Sequence, residues 1–204
     1  NFENHREAAA RLADTEAWRQ ASTLKCNPDA PQLPVRRQAL RAGKTIYMAV
    51  PRLREAQPFL RLDPDAIDDI DAATTVSGCS KHGVPVDPEE LPHIDLIVAG
   101  SVAVDETGSR VGKGEGYSDL EFAVLRGFDR VDASTTVATT VHDTQVVDGI
   151  ETDRHDVPLD LIVTPTRTVE TESTADRPVG LHWDDLDAET IAEIPVLERL
   201  RTET

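Results

Sequence analysis

The most apolar run in the chain is DLIVAGSVAV, at residues 95–104. It follows Pro92 and is typical of a buried central strand that is interrupted at Gly100. A glycine-rich loop at residues 108–116 comes next, and the pattern of residues 119–127 predicts a helix behind it. An apolar strand that leads into a glycine-rich loop and then a helix is typical of α/β proteins with a parallel sheet.

Helices and short apolar strands alternate along the rest of the chain. We predict helices in residues 3–21 (one helix or two short ones), 35–42, 119–127 and 184–193, and strands in residues 45–50, 95–104, 135–142 and 160–169. This alternation predicts an α/β fold, a three-layer α/β/α sandwich with a mostly parallel sheet. We expect residues 1–204 to form a single domain, because no linker or internal repeat divides them.

Local signals refine the ends of two helices and the packing. Gly43 is placed to end the helix at residues 35–42. Ser118 and Glu121 form an S-x-x-E pattern, which predicts a capping box at the start of the helix at residues 119–127. The two tryptophans, Trp18 and Trp183, are expected to be packing anchors rather than ligand platforms.

The charge balance is strongly acidic. The chain carries 38 acidic and 21 basic residues, for a formal net charge of −17, and only four of the basic residues are lysines. Such a surface repels polyphosphate backbones, so nucleic acid is not expected as a partner. An acidic, lysine-poor surface indicates a halophilic protein from a high-salt cytoplasm, where salt screens the self-repulsion. An ordinary acidic soluble protein is the alternative.

The sequence indicates a cytoplasmic protein. No apolar run approaches the length of a membrane span, and no signal peptide is visible, so no membrane association is expected. The two cysteines, Cys26 and Cys79, are expected to be free buried thiols in a reducing compartment. Because the sequence starts at Asn1 within a helical pattern, we expect that an N-terminal segment is missing from it.

The stretch that carries chemistry is GSRVGKGEGYSD, at residues 108–119. Its glycines permit positive φ angles and close approach of the backbone to a ligand. Loop amides together with a helix N-terminus make a site for phosphate, to which Arg110 and Lys113 would add positive charge. Asp119 could hold a cation that bridges to phosphate oxygens. The spacing matches neither a Walker A loop nor a dinucleotide fingerprint, and a tight structural connection is the alternative.

The same stretch resembles the loop of the 5-formyltetrahydrofolate cyclo-ligase family, which has the form G-x-R-L-G-x-G-x-G-Y-Y-D. Gly43-Lys44, before the strand that ends at Pro51, is similar to a second family segment. The resemblance runs from about residue 35 to residue 164. Within the family, the chain resembles a divergent branch, the methenyltetrahydrofolate synthetase domain-containing proteins. The motifs shared with that branch are KGEGY-x-D-x-E (113–121), VHD-x-QVV (141–147) and HDVP-x-D-x-IVTPTR (155–167).

The resemblance implies the family's α/β/α fold and its reaction. In that reaction ATP phosphorylates the formyl oxygen of 5-formyltetrahydrofolate, and ring closure then expels phosphate to give 5,10-methenyltetrahydrofolate. The implied cofactors are ATP and Mg²⁺, and the implied partner is a small-molecule folate derivative. Catalytic roles are implied for Arg110 and Tyr117, and metal binding for Asp119 and Asp156. Nucleotide contacts are implied for Gly112, Lys113, Gly114, Glu115, Gly116 and Tyr117.

Several positions depart from the family pattern. Glu115 places a negative charge in a loop meant for phosphate, so it should point away, touch the metal or pair with Lys113. Ser118 replaces the second tyrosine, and Leu120 stands where relatives often have arginine. The region at residues 31–33 reads Pro-Gln-Leu, where the family has a glutamate that contacts the pterin. The residues expected to bind phosphate therefore match the family pattern better than those expected to bind folate.

Two other functions remain open. The first is a non-catalytic or repurposed paralogue that binds a nucleotide or a phosphorylated small molecule on the same fold. The second is a relative of sugar-phosphate isomerases or CoA-transferases, which share this layer order, but no catalytic glutamate motif for that class is recognisable. The oligomeric state is not indicated by the sequence.

Histidines and an arginine near strand ends are further candidates. His142 and His155, each followed by an aspartate, could take an acid–base or metal role, although local hydrogen bonding is the favoured interpretation. Arg167 could reach an anionic ligand or pair with the acidic surface.

Overall fold

The computed structural model describes residues 1–173 and 175–203. The strands are β1 Thr23–Cys26, β2 Thr45–Ala49, β3 Phe59–Leu62, β4 Val84–Val86, β5 Leu96–Ala99, β6 Ala103–Val104, β7 Arg110–Val111, β8 Thr136–Thr140, β9 Leu161–Val163 and β10 Thr168–Glu170. The α-helices are α1 His5–Ala13, α2 Glu16–Gln20, α3 Leu33–Arg41, α4 Ile70–Ala73, α5 Val76–His82, α6 Tyr117–Gly127, α7 Ala188–Glu193 and α8 Pro195–Glu203.

One eight-stranded sheet forms the centre, in the order β10-β9-β8-β5-β1-β2-β3-β4. The inner strands from β9 to β2 are parallel, and antiparallel strands complete both edges. The register places Leu24 of β1 between Ile46 of β2 and Leu96 of β5. The prediction of an α/β fold with a mostly parallel sheet is therefore confirmed.

Two apolar cores lie on opposite faces of this sheet. One core contains Leu12 of α1 and Leu40 of α3, packed against inner strand residues such as Leu24. The other contains Leu125 of α6 and Leu200 of α8. Because each strand residue alternates between faces, the short apolar strands contribute side chains to both cores. These are the three layers that the alternating pattern predicts.

The packing roles predicted for the tryptophans and cysteines agree with the structure. Trp18 is buried among the α1 and α3 side chains, and Trp183 packs against the edge of the opposite core. Cys26 and Cys79 are both buried free thiols. No helix in the described part of the chain is long and apolar enough to cross a membrane.

Several element boundaries differ from the predictions. The predicted strand 95–104 ends at Ala99, since β6 turns away to pair with β7 in a separate two-stranded sheet. The predicted strand 160–169 is a hairpin of β9 and β10, because the chain reverses in a turn closed by Thr164 and Arg167. Residues 3–21 form two short helices, which was one of the two predicted alternatives, with Thr15 capping α2.

The predicted capping box at Ser118 and Glu121 is wrong. Helix α6 begins two residues earlier, at Tyr117, and its N-cap is Gly116 with a φ angle of 68°. That left-handed conformation suits glycine, which has no Cβ to clash. The Glu121 side chain is instead buried and pairs with Lys25 of β1.

A fully buried arginine fixes the loop that follows β1. Arg36 of α3 donates hydrogen bonds from Nη1 to the carbonyl oxygens of Asn27 (2.8 Å) and Asp29 (2.9 Å). Its Nε donates to the carbonyl of Thr74 at 3.0 Å. Burial lowers the pKa of the Arg36 guanidinium. The charge is therefore solvated by backbone carbonyls, which tie the loop after β1 to the end of α4.

Candidate functional site

A cleft of about 1010 Å³ opens at the carboxyl ends of β1, β2 and β5. The chain leaves β1 through α3 toward β2 on one side, and leaves β5 through α6 toward β8 on the other. Because α3 and α6 lie on opposite faces, the two connections separate and leave a crevice between β1 and β5. Ligands of open α/β sheets bind at this kind of topological switch point.

Two loops meet tightly over this crevice. A Cβ atom at Gly100, just after β5, would overlap Asp29 Oδ2 and lie 3.0 Å from Asp29 Cγ. The Asp29 carboxylate also forms an ion pair with Lys113 of the glycine loop. Gly100 therefore allows the loop after β1, the end of β5 and the glycine loop to come together at one place.

The glycine loop forms one wall of the cleft and leads into α6. Gly114 and Gly116 have φ angles of 84° and 68°, a region that other residues rarely adopt. Both lie in open space, so the backbone angle rather than crowding requires glycine there. The loop thus presents its backbone at the N-terminus of an 11-residue helix, an arrangement that suits an anion.

Arg110 lies beneath this loop rather than in the cleft opening. It is 8% exposed, and its Nη2 lies 2.7 Å from both carboxylate oxygens of Asp119. Its Nη1 donates to the Gly100 carbonyl at 3.3 Å. Asp119 Oδ1 also accepts a hydrogen bond from the backbone amide of Val157 at 3.0 Å. Arg110 and Asp119 therefore join the glycine loop, α6 and the segment before β9.

The exposed charges of the loop pair across the cleft. Lys113 is largely exposed, and its hydrogen bond to Asp29 raises the pKa of its ammonium group. Glu115 lies 3.5 Å from Arg52, which follows β2 on the opposite side. The three alternatives expected for Glu115 did not include Arg52, so the sequence did not predict this ion pair. The loop's negative charge is thus partly offset at the cleft opening.

Arg52 is a site residue that sequence reasoning missed. Arg52 and Leu53 have φ angles of 58° and 53°, and the Leu53 side chain is fully buried. Two consecutive non-glycine residues in this region store local strain, which is found most often at functional sites. The buried Leu53 anchors the turn, so that the Arg52 side chain lies at the cleft. Nothing in the run Pro51-Arg52-Leu53 indicates this conformation.

Two buried polar side chains, Gln32 and Glu121, line the cleft, and Lys25 pairs with Glu121 behind it. Lys25, Glu121 and Gln32 are all at least 90% buried. Lys25 pairs with Glu121 and donates a hydrogen bond to Asn27 Oδ1 at 2.9 Å. In the sequence, Glu121 was interpreted as a helix-cap residue and as the end of the shared motif at residues 113–121, and Gln32 as part of the segment that lacks the family's glutamate. The structure thus brings a carboxylate to the same cleft as Gln32, although the segment at residues 31–33 has none.

The two aspartates expected to bind Mg²⁺ differ in their hydrogen bonding. The Asp119 carboxylate is already used by Arg110 and the Val157 amide, as described above. Asp156 Oδ2 accepts a hydrogen bond from the Asp153 amide at 2.7 Å, and its Oδ1 lies 3.9 Å from His155 Nε2. Within residues 1–173 and 175–203, no group of three or more His, Cys, Asp or Glu side chains is arranged to hold a metal. A Mg²⁺ ion held mainly by phosphate oxygens needs only one or two carboxylates, of which Asp156 could supply one.

The remaining candidates have local partners. His142 Nδ1 accepts a hydrogen bond from the Thr144 amide at 3.2 Å, which caps a short turn. His155 lies at the cleft edge, 4.0 Å from Asp185. Arg167 pairs with Glu106 at 2.7 Å, on the exposed surface. Tyr117, the first residue of α6, is half-buried and packs against the core while lining the cleft.

The fold and this cleft define a doubly wound α/β protein with a glycine loop at its switch point. A model of the 5-formyltetrahydrofolate cyclo-ligase family matches residues 1–165, so the chain belongs to that family. The matched residues include the whole of the cleft described above.

Relatives of known name agree with this assignment. The chain is 40% identical to a methenyltetrahydrofolate synthase domain-containing protein of Mus musculus, over 98% of this chain and 55% of the relative. It is 39% identical to the Danio rerio protein of the same name, over 99% of this chain and 54% of the relative. The chain thus spans about half the length of these relatives. A 5-formyltetrahydrofolate cyclo-ligase of Escherichia coli is 27% identical, over 67% of this chain and 72% of the relative.

Solved structures support the fold alone. The 5,10-methenyltetrahydrofolate synthetase of Aquifex aeolicus superimposes with a TM-score of 0.57 at 18% identity, covering 90% of this chain and 88% of the other. The 5,10-methenyltetrahydrofolate synthetase of Mycoplasma pneumoniae gives 0.50 at 13% identity, covering 79% and 84%.

Proposed function

We propose that this chain catalyses the ATP- and Mg²⁺-dependent conversion of 5-formyltetrahydrofolate to 5,10-methenyltetrahydrofolate. The observation that carries the proposal is the glycine loop, which presents its backbone and the N-terminus of α6 to a switch-point cleft in a chain of the cyclo-ligase family. The family in general supports a folate-related ligase. The particular reaction, ATP and Mg²⁺ belong to this proposal.

The loop's part is to hold and orient the phosphates. In phosphoryl transfer the protein contributes mainly positioning and charge stabilisation. The backbone of residues 112–116 would contact phosphate oxygens, with Lys113 turning from Asp29 toward the added negative charge. Tyr117 lines the cleft at the point where α6 begins and would border the transferred group. Arg110 acts as a positioning residue, because its guanidinium is bonded to Asp119 beneath the loop.

Mg²⁺ would neutralise the phosphate charge when bound. Of the two aspartates, Asp156 has the less occupied carboxylate: its Oδ2 accepts from the Asp153 amide, and its Oδ1 lies 3.9 Å from His155 Nε2. Asp119 would need to give up part of its contact with Arg110 to bind the ion. A metal role for either residue remains a proposal.

A second candidate is a repurposed paralogue that binds a nucleotide or a phosphorylated small molecule without turnover. The observation that favours it is the pairing of the loop's cations: Arg110 with Asp119, and Lys113 with Asp29. Glu115 adds a further negative charge at the cleft opening. Each pairing reduces the net positive charge available to phosphates.

A direct assay separates the two candidates. Protein in high-salt buffer is mixed with ATP, Mg²⁺ and 5-formyltetrahydrofolate, and the methenyl product is followed by its absorbance. Product that needs all three components supports the cyclo-ligase. Folded protein that is thermally stabilised by ATP and Mg²⁺ but forms no product supports the paralogue, because a ligand of the native state raises its melting point.

A further inference from the structure

Three sulfur-containing side chains share one corner of the core behind the cleft. They are Cys26 at the end of β1, Met48 in β2 and Cys79 in α5, and each is at most 2% exposed. The parallel register pairs Lys25 with Tyr47, so Cys26 and Met48 are neighbours one residue further along the two strands. This corner therefore holds both cysteines and the single methionine of the chain.

Cys79 contacts Met48 directly. Its thiol donates a hydrogen bond to the Met48 thioether, with 3.0 Å between the two sulfurs. A thiol is a weak donor and a thioether a weak acceptor, so this bond contributes less than one between nitrogen and oxygen. Both residues also line the cleft. An ion in the cleft can therefore approach the sulfurs from that side.

A buried positive charge faces both thiols. Arg36 is 1% exposed, its hydrogen bonds go to backbone carbonyl oxygens, and among the described residues it forms no ion pair with a carboxylate. Burial raises the pKa of Cys26 to about 12 and also raises the pKa of Cys79. At each thiol, Arg36 is the first group that acts against this shift. Arg36 thus lies close enough to both sulfurs to stabilise negative charge on them.

We propose that Cys26, Met48 and Cys79 form a site for a single Cu(I) ion, with two thiolates and one thioether as its ligands. Soft sulfur ligands of this kind suit Cu(I), whereas Mg²⁺ takes oxygen ligands. On binding, one Cu⁺ ion enters and the two thiol protons leave, because the thiolate is the form that binds a metal. The site is separate from the glycine loop, and it does not depend on the reaction proposed above.

The charge of Arg36 favours a monovalent ion at this site. Cu⁺ with two thiolates carries a single negative charge, which the guanidinium cancels, so the buried group as a whole is neutral. Zn²⁺ with two thiolates is neutral by itself and leaves the Arg36 charge as uncompensated as it is without the ion. Structural Zn²⁺ sites also have four ligands, whereas three sulfurs are present here. Charge and ligand number therefore both favour Cu(I) over Zn²⁺.

The test is an anaerobic titration of the whole chain with Cu(I) in the presence of bicinchoninate, a coloured chelator that competes for the ion. We expect the protein to withdraw one equivalent of copper from the chelator, and added Zn²⁺ should not displace it. X-ray absorption at the copper edge should show sulfur atoms as the nearest neighbours of the bound ion. Both measurements are independent of any catalytic activity.

Single replacements identify the ligands. Cys26→Ala, Cys79→Ala and Met48→Leu each remove one sulfur, and the methionine change nearly conserves side-chain volume. Each should weaken Cu(I) binding by at least about 10-fold, since losing even an outer partner of a metal ligand costs that much. His82→Gln is the matched control, because it removes an exposed imidazole from the helix that carries Cys79 and should leave the affinity unchanged. Circular dichroism confirms folding, and if a cysteine variant unfolds, the other two replacements decide.

A chain that withdraws no copper from the chelator would overturn the site, as would bound copper with nitrogen or oxygen as its nearest neighbours. Undiminished affinity in any folded ligand variant would overturn it as well. Affinity that is lost in His82→Gln would show adventitious binding at surface histidines and would have the same consequence. Recovery of a disulfide between Cys26 and Cys79 after the titration would also overturn the proposal, because the pair would then be a redox couple rather than a set of ligands.

Discussion

Replacing Asp119 by asparagine tests whether this carboxylate chiefly neutralises Arg110 or is free for a metal. Arg110 and Asp119 have side chains that are only 4% and 12% exposed. Breaking a buried ion pair by removing one partner costs about 3–5 kcal/mol, since it leaves an uncompensated charge. The asparagine oxygen can still accept one hydrogen bond, so we expect a loss near the lower end, about 3 kcal/mol. For a chain of this size that corresponds to a melting point lower by roughly 6–12 °C.

The assay is chemical and thermal unfolding without nucleotide or metal. Asp71→Asn is the matched control, because Asp71 also pairs with arginines, Arg37 and Arg41, each at 2.8 Å, but its own side chain is 59% exposed. Its effect should stay below about 1 kcal/mol. The double variant Arg110→Met with Asp119→Leu should recover much of the stability, since apolar replacements of a buried pair are tolerated.

One result would refute this reasoning. A carboxylate kept free for Mg²⁺ in a chain of net charge −17 is repelled by its surroundings, so neutralising it would stabilise the metal-free protein. An unchanged or higher melting point for Asp119→Asn would therefore show that the Arg110 contact contributes little and would favour the metal role.

Three further predictions concern the loop and a buried thiol. Gly116→Ala should lower the free energy of unfolding by about 1–2 kcal/mol, because φ is 68° there, and should weaken the thermal stabilisation by ATP. Gly180→Ala, at a position with an ordinary φ and open space, is the control and should have neither effect. Glu115→Gln should tighten ATP binding roughly 5-fold in calorimetry, because it removes about 1 kcal/mol of repulsion at the loop; weaker binding would indicate that Glu115 contacts the metal. Burial raises the pKa of Cys26 to about 12 from 9.0, so below pH 9 both folded and unfolded chains hold the proton. Between pH 9 and 12 only the unfolded chain releases it, so stability should fall with rising pH there, and Cys26→Ala should flatten that part of the curve.

The sequence predicts the inner layers of the fold well, because their signals are local. The helix at residues 33–41 and strand β2 are separated by Gly43, whose φ is 74°, and β2 runs into Pro51. The apolar runs of β5 and β8 identify the central strands directly. In these elements, the apolar pattern and the glycine or proline that ends it lie within a few residues of each other.

The missed strands lack such signals for physical reasons. β1 has only four residues, and Lys25 in its middle reads as polar although Glu121 neutralises it in the core. β4 contains Pro85, which argues against a strand and is tolerated because β4 lies at the sheet edge. Tertiary pairing, which a single sequence does not display, decides both.

The site divides in the same way. The glycine loop is visible in the sequence, and the structure places its residues together at the cleft. The partners of its charges are not visible, since Asp29 lies 84 positions from Lys113, and Arg52 depends on an unusual backbone turn. Contacts between residues that are distant in sequence can be predicted at a switch point only once the order of the strands is known. The expectation of a high-salt habitat remains a prediction.

Arg36 gives the cleft a dependence on a remote part of the chain. Its three carbonyl partners, which solvate the buried charge, belong to the loop after β1 and to the end of α4. If either segment unfolds alone, the buried Arg36 charge loses some of the carbonyl oxygens that replace water around it. The two segments should therefore open together in native-state hydrogen exchange. A substitution that displaces the Thr74 carbonyl would therefore shift the loop that carries Asp29. Sequence changes in α4 could alter the shape of the cleft in this way without changing any residue that lines it.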